Sequence, residues 1–227
     1  MNKKGGFHIR EIYFDTETTG LDCRNCNIIE LAMIIVEDGE IKEEYDEFIK
    51  IDTSLPSKIV EITGITDDDL AKGVSEEKIA LDLKENLIND TLMIAHNAQF
   101  DLSFIYYLLE RHFPDEVNSI VENVRWLDTL TVLKDRKNYP HKLIDAVDKY
   151  GIEKVNFHRA IDDTKALYYV TQELKNERDD LGEYINIFGY NPKYPINYVD
   201  KFDFIEYKPQ PYHNRGCLSI DEILPRV

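Results

Sequence analysis

The segment 27–36 is the feature that most limits how this chain of 227 residues folds. It reads Asn-Ile-Ile-Glu-Leu-Ala-Met-Ile-Ile-Val, so only Glu30 interrupts an otherwise apolar run. Apolar side chains on both faces of a strand are typical of a sheet that is covered on both sides. The run has only half of the ~20 residues that a bilayer crossing needs. It therefore predicts a buried strand in the middle of a sheet and no membrane span.

Further strands and helices are predicted from hydrophobic periodicity on both sides of this segment. Strands come first, and helices then alternate with strands, which is typical of an α/β fold with a mixed sheet between two layers of helices. The other predicted strands cover residues 9–14, 45–51, 92–95 and 124–127, and the clearest amphipathic helices cover residues 98–113, 143–150 and 160–174.

The composition changes after residue 178. Six of the fourteen tyrosines and five of the eight prolines fall within residues 180–227. We therefore expect a main domain of residues 1–178 and a Tyr/Pro-rich C-terminal extension of residues 179–227. The apolar clusters of the extension suggest that it packs on the domain.

The net charge restricts the partners of the chain. The sequence has 44 acidic and 27 basic residues and a formal charge of −17. This acidity disfavours binding to anionic lipid, and it also runs against the basic patch that most phosphate-binding proteins carry. The odd number of cysteines, three, and the lack of an apolar segment after the first residues favour a cytoplasmic protein.

Two acidic residues stand at the end of the first predicted strand, in the sequence Ile-Tyr-Phe-Asp-Thr-Glu-Thr-Thr-Gly. Since side chains alternate along a strand, Asp15 and Glu17 project from the same face and lie close enough to share a cation. A divalent ion relieves the repulsion between two such carboxylates. Taken alone, the pair is also consistent with a polar strand end that enters a turn.

Two later motifs combine a histidine with an acid at the start of a helix. The first, His-Asn-Ala-Gln-Phe-Asp, ends at Asp101, and the second runs from His158 to Asp163. An acid in the first turn of a helix is stabilising without any further function. Each motif taken singly is therefore also explained by helix stability.

Together the three motifs resemble the DEDDh branch of the DnaQ-like 3′-to-5′ exonucleases. That branch has Asp-x-Glu-Thr-Thr-Gly after the first strand, His-Asn-Ala-x-Phe-Asp at a helix start, and a late His five residues before an Asp. The sister branch has Tyr four residues before the last Asp, where this chain has Arg159. The resemblance covers residues 9–175 and implies a ribonuclease H-like fold with a five-stranded mixed sheet.

The resemblance also implies a site with two metal ions. In such a site Asp15, Glu17 and Asp163 hold the first ion, and Asp15 bridges to the second. Asp101 completes the site, and His158 takes the proton from the attacking water. Mg²⁺ or Mn²⁺ is expected because carboxylate and water ligands suit these ions.

Substrate contacts are implied as well. Thr18 resembles the family's grip on the terminal nucleotide, and Leu21 matches an apolar residue that packs near the terminal base. Asn97, Thr63 and Phe100 are further candidates, of which Thr63 stands where many relatives have His. Phe100 lies on the apolar stripe of its helix, so a place in the core is the stronger expectation for it.

We therefore expect a metal-dependent exonuclease that releases 5′-mononucleotides from single-stranded DNA 3′ ends, in proofreading or repair. Its expected partners are the 3′ end of a single-stranded nucleic acid and a polymerase or another replication or repair protein. No membrane is expected among the partners. Two alternatives stay open, an exoribonuclease of the same family and a non-catalytic module that keeps the fold. The motifs do not separate DNA from RNA.

Two further patterns in the sequence are weaker. Residues 134–142, with Arg125 and Arg159, are the most basic candidates for contacts with a phosphate backbone, although such a run is more often a solvated surface. The pair Cys23 and Cys26 has the spacing of a zinc knuckle. The other two ligands of a zinc site would have to come from a distant segment, where His213 and Cys217 are available.

Overall fold

A five-stranded sheet forms the centre of the computed structural model, which describes residues 10–153, 159–193 and 202–210. The strand order is β3-β2-β1-β4-β5, with β2 antiparallel to both neighbours and β4 and β5 parallel to β1. The mixed sheet that the resemblance implies is therefore confirmed. Its strands are β1 (Arg10–Thr18), β2 (Ile28–Glu37), β3 (Glu40–Phe48), β4 (Thr91–Ala95) and β5 (Arg125–Asp128).

Helices cover both faces of this sheet. One apolar core lies between the sheet and α3, α4 and α5, and the other lies between the sheet and α6, α7 and α8. The helices are α1 (Ser57–Thr63), α2 (Asp67–Leu70), α3 (Glu76–Asn86), α4 (Ala98–His112), α5 (Val117–Glu122), α6 (Thr129–Arg136), α7 (Leu143–Tyr150) and α8 (Ala160–Glu177).

The apolar run of the sequence occupies a central position, as predicted. In β2 every residue but Glu37 is buried, because side chains on alternate faces enter the two cores. Strand β1 does the same, with Phe14 in one core and Tyr13 in the other. Both strands therefore hold their ends rigidly between two layers of helices.

The predicted bounds of the third strand, residues 45–51, were wrong. Strand β3 spans Glu40–Phe48 and pairs with β2 through a tight turn at Asp38 and Gly39, whose φ angles are 55° and 77°. A two-residue turn with positive φ at both positions matches the twist of a hairpin. Because β3 is an exposed, acidic edge strand, its first half carries no apolar pattern from which it can be recognised.

The described part of the C-terminal segment contacts the edge of the sheet. Strands β6 (Ile187–Tyr190) and β7 (Glu206–Pro209) pair in parallel beside β5. The backbone of Asn186 donates to Trp126 O at 2.7 Å, and its side-chain oxygen accepts from Trp126 N at 2.8 Å. Asn186 thereby satisfies backbone groups of β5 that would otherwise lie at an open edge.

None of the helices in the described ranges is long and apolar enough to cross a bilayer.

One buried carboxylate at the end of β5 fixes the start of two helices. Oδ1 of Asp128 accepts the N–H groups of Asn97 and Ala98 at the start of α4, at 2.8 and 3.2 Å. It also accepts the N–H of Leu130, at 3.1 Å, while Oδ2 accepts the N–H and hydroxyl of Thr131 in α6. Asp128 is 3% exposed. Water therefore cannot take the place of this carboxylate as the acceptor for the N–H groups at the two helix starts.

We therefore expect Asp128→Ala to lower the free energy of unfolding by about 3 kcal/mol, since each lost helix cap costs ~1–2 kcal/mol. Urea denaturation measures the change, and Glu43→Ala on the exposed edge strand is the control. A loss below about 1 kcal/mol would show that the two helices do not depend on this carboxylate.

Candidate active site

Three carboxylates from two elements converge at the end of β1. Asp15 and Glu17 leave β1 on the same face, and Asp163 reaches them from the first turn of α8. One carboxylate oxygen from each lies within 4.8 Å of the others. Oxygen ligands at this spacing suit a hard divalent cation. All three are half-buried, and within the described ranges no other group of His, Cys, Asp or Glu side chains has this arrangement.

Asp101 lies beside this group and is not one of its three members. It occupies the first turn of α4, is 3% exposed, and its Oδ1 accepts a hydrogen bond of 2.7 Å from the Thr16 hydroxyl. Its charge is close enough to raise the pKa of Asp15. The structure thus brings all four acids of the sequence motifs to one end of the sheet.

The acids repel one another in the absence of a cation. Burial, followed by the charges of Asp101, Asp163 and Glu17, raises the pKa of Asp15 well above its ordinary value. Burial and the charge of Asp163 raise the pKa of Glu17 to about 7. Burial likewise raises the pKa of Asp101 to about 7. A donor set of this kind fits a divalent metal, because a bound cation reverses the cost of ionising the acids.

These pKa shifts predict a pH-dependent stability. A carboxyl whose pKa is raised by folding favours the folded state below its unfolded pKa, and this advantage disappears as the pH rises through the folded pKa. For Glu17 the rise from 4.5 to about 7 corresponds to about 3 kcal/mol. The metal-free protein should therefore be less stable at pH 8 than at pH 5.

Millimolar Mg²⁺ should restore the stability that is lost at pH 8. We expect Mg²⁺ to raise Tm by about 5 °C or more at pH 8 and by little at pH 5, where protons compete for the carboxylates. Calorimetry with Na⁺ at equal ionic strength as the control measures both. An Mg²⁺ effect of the same size at the two pH values would contradict this account.

The predicted substrate-binding residues near β1 and α1 lie in different environments. The hydroxyl of Thr18 donates to Gly20 O at 2.7 Å, which closes the turn after β1. Leu21 follows in that turn and is 65% exposed. Thr63 is buried, and its hydroxyl donates to Ile59 O within α1. Leu21 therefore presents an apolar surface to solvent, whereas the Thr63 hydroxyl has a partner inside its own helix.

The other two candidates lie at the start of α4. Asn97 precedes the helix with a φ of 75°, a left-handed conformation that Asn adopts more readily than most residues. Phe100 is half-buried and packs on Phe104 with 4.8 Å between the ring centroids. This contact agrees with the expectation that Phe100 belongs to the core.

His158 lies outside the described residues, and so do His213 and Cys217. Cys23 is buried and Cys26 is half-buried. Neither cysteine belongs to a group of three or more metal-ligating side chains in the part of the chain that the structure describes. The described residues therefore give no support to the zinc alternative.

Two cations of the basic stretch 134–142 are engaged within the protein. Arg136 is 4% exposed, and its guanidinium pairs with Asp180 and donates to Leu174 O. Lys137 pairs with Glu177. These two side chains hold α6 to the end of α8, so they do not form part of a phosphate-binding surface.

None of the sequence motifs pointed to Glu30, which the structure places in β2 next to the acidic group. Glu30 is fully buried in β2, opposite Glu17 in the register of the sheet, and pairs with Arg159. The signal was present, because a single acid inside an apolar strand must find a partner when it is buried.

The fold that carries the acidic group is shared with solved structures of an exonuclease. Exonuclease I of E. coli in complex with a dA16 oligonucleotide matches with a TM-score of 0.68 and 22% identity, covering 78% of this chain and 42% of that one. The zinc-bound complex of the same enzyme with single-stranded DNA also has a TM-score of 0.68 and 22% identity, with the same coverage. Both matches show that the fold is shared.

The chain belongs to the RNase_T exonuclease family, whose model matches residues 12–171. The DNA polymerase III PolC-type proteins of Staphylococcus haemolyticus and Staphylococcus aureus are each 34% identical over 172 residues. That alignment covers 75% of this chain, which spans only 12% of the length of those relatives. The prediction of a DnaQ-like exonuclease is therefore confirmed, and family membership with the acidic group indicates dependence on a divalent metal.

Proposed function

We propose that this protein hydrolyses phosphodiester bonds at the 3′ ends of single-stranded DNA and releases 5′-mononucleotides. The observation that carries the proposal is the convergence of Asp15, Glu17 and Asp163 within 4.8 Å, in a chain of the exonuclease family. Within the described residues, no other group of three or more His, Cys, Asp or Glu side chains is spaced to hold a metal ion.

We propose that the four acids hold two metal ions, Mg²⁺ or Mn²⁺. Asp15, Glu17 and Asp163 would hold the first ion, with Asp15 shared between the two ions and Asp101 completing the set. Bound divalent ions supply a nucleophile from water near neutral pH and shield the charge on the scissile phosphate. The carboxylates would hold the ions at the end of β1, and the ions would compensate the negative charges of the carboxylates.

His158 completes the proposed mechanism as the general base that removes a proton from the attacking water. A neutral imidazole accepts that proton, and an unperturbed imidazole, with a pKa of about 6.5, is neutral at working pH. Thr18 and the exposed Leu21 follow the acids along the chain, and we propose that they contact the terminal nucleotide. Asn97, Thr63 and Phe100 remain secondary candidates for this contact.

DNA is the proposed substrate because of the relatives. The PolC-type relatives are DNA polymerases by name, and exonuclease I has been crystallised with DNA oligonucleotides. The same likeness supports a polymerase, or another replication or repair protein, as the partner that brings the 3′ end to this acidic chain. Such a partner would offset the charge of −17 that weakens the protein's own grip on DNA.

The test uses matched single-stranded DNA and RNA oligonucleotides of one sequence, labelled at the 5′ end, with Mg²⁺ or Mn²⁺. We expect a ladder that shortens from the 3′ end, faster for DNA than for RNA, and no cleavage when the 3′ end is chemically blocked. Digestion of RNA at an equal or higher rate would favour the exoribonuclease alternative. Absence of digestion of both would favour the non-catalytic module.

A further inference from the structure

We propose that Glu30 and Arg159 act as a pair of positioning residues that hold the start of α8, so that Asp163 meets Asp15 and Glu17. This inference rests on the proposed function, because it assigns the pair to the metal site of that function. Neither residue is a metal ligand in this proposal. The pair acts through the helix that carries Asp163.

Both oxygens of the Glu30 carboxylate are directed at the start of α8. Oε1 accepts Arg159 Nη2 at 2.7 Å and Nε at 2.8 Å. Oε2 accepts the backbone N–H of Ala160, the first residue of the helix, at 3.0 Å. One carboxylate therefore provides the helix with a cap and binds the side chain immediately before it.

The sheet register places this carboxylate next to the metal site. Glu30 is directly opposite Glu17 in the pairing of β2 with β1. Glu17 contributes to the acidic group, and Glu30 binds the first residue of the helix that brings the third acid. The spacing between Asp163 and the acids of β1 is thus set by two adjacent strands of the rigid central sheet.

Arg159 is held by more than Glu30. Its guanidinium stacks 4.7 Å from the centroid of the Phe48 ring and lies 3.7 Å from Asp46. Its side chain is 40% exposed, whereas Glu30 is completely buried. A guanidinium fixed by two carboxylates and an aromatic ring is organised for a structural role. These contacts also argue against the alternative that Arg159 grips the substrate backbone.

The direction in which Mn²⁺ affinity changes when Arg159 is removed tests the proposal. If Arg159 were only a positive charge near the metal site, its removal would strengthen Mn²⁺ binding. If it positions Asp163, its removal leaves Glu30 buried without its partner and loosens the first turn of α8, so Mn²⁺ binding weakens. Removing a residue that orients a metal ligand typically costs ~10–100-fold in metal affinity.

The experiment measures Mn²⁺ binding by calorimetry for the wild type, Arg159→Met, Arg159→Lys, Glu30→Gln and the double variant Arg159→Met with Glu30→Gln. We expect about tenfold weaker binding for Arg159→Met and a smaller loss for Arg159→Lys, which keeps the charge but not the forked geometry. The loss in the double variant should be smaller than the sum of the losses in Arg159→Met and Glu30→Gln, because the two residues act as a unit. Arg111→Met, which breaks an ion pair with Glu76 on another part of the surface, is the matched control.

A second readout needs no metal. Hydrogen exchange of the backbone amides of residues 160–164 should be faster in metal-free Arg159→Met than in the wild type, with little change in the control. Unchanged or tighter Mn²⁺ binding in both Arg159 variants would overturn the inference. A wild-type protein that binds no Mn²⁺ would instead overturn the proposed function, so the two failures are distinguishable. If Arg159→Met does not fold, Arg159→Lys decides between the outcomes.

Discussion

Replacement of Asp15 by asparagine should abolish hydrolysis and, at the same time, stabilise the metal-free protein at pH 8. The rate should fall by about 10³-fold or more, the size of loss seen when a central member of a catalytic group is removed. Asparagine has nearly the same shape as aspartate but cannot supply the negative charge that a shared divalent ion requires. Measurement of kcat on a DNA oligonucleotide with saturating Mg²⁺ gives the loss.

The opposite change in stability distinguishes a functional acid from a structural one. The pKa of Asp15 is raised by burial and by four neighbouring acids, so its ionised form destabilises the fold when no cation is present. Asp15→Asn removes that repulsion, so Tm without metal should rise at pH 8 and the Mg²⁺-dependent increase should disappear. Glu43→Gln, on the exposed edge strand, should change neither quantity. Full activity in Asp15→Asn, or a metal-free Tm that falls sharply, would contradict the assigned role.

Replacement of His158 by alanine should lower kcat by about 10²–10⁴-fold and leave Mn²⁺ affinity nearly unchanged. A general base contributes to the chemical step and not to metal binding, which the acids provide. The wild-type rate should fall below about pH 6.5 as the imidazole is protonated, since only the neutral ring accepts a proton.

The pH dependence of the rate also tests the role of His158. In His158→Ala the residual rate should lose the decline that the imidazole causes near pH 6.5. His112→Ala is the control, because His112 lies at the end of α4, where it contacts Glu76. A variant that keeps the full rate between pH 6 and 9 would show that His158 is not the base.

Much of the fold was predictable because β2 is apolar on both faces and therefore had to lie inside the sheet. The common face of Asp15 and Glu17 followed from the alternation of side chains along a strand. The strand order did not follow from periodicity, and only the resemblance implied it. The position of β3 was missed because an exposed edge strand is stabilised by its pairing with β2 and carries no apolar alternation of its own.

The supporting residues were less predictable than the acids that they hold. Asp128 and Glu30 act through the N–H groups of distant helices, and such partners become visible only when β5 meets α4 and β2 meets α8. The basic stretch was misleading for a related reason. Arg136 is basic in the sequence but buried in the structure, where Asp180 and backbone oxygens compensate it.

The most direct test of the account is the position of Mn²⁺ in crystals of the protein, located by its anomalous scattering. The account predicts a strong peak within coordinating distance of Asp15, Glu17 and Asp163, with a second peak beside Asp15, and the loss of both in crystals of Asp15→Asn. Crystals soaked in Mn²⁺ that show no peak at these three carboxylates, or show it only elsewhere on the acidic surface, would contradict it.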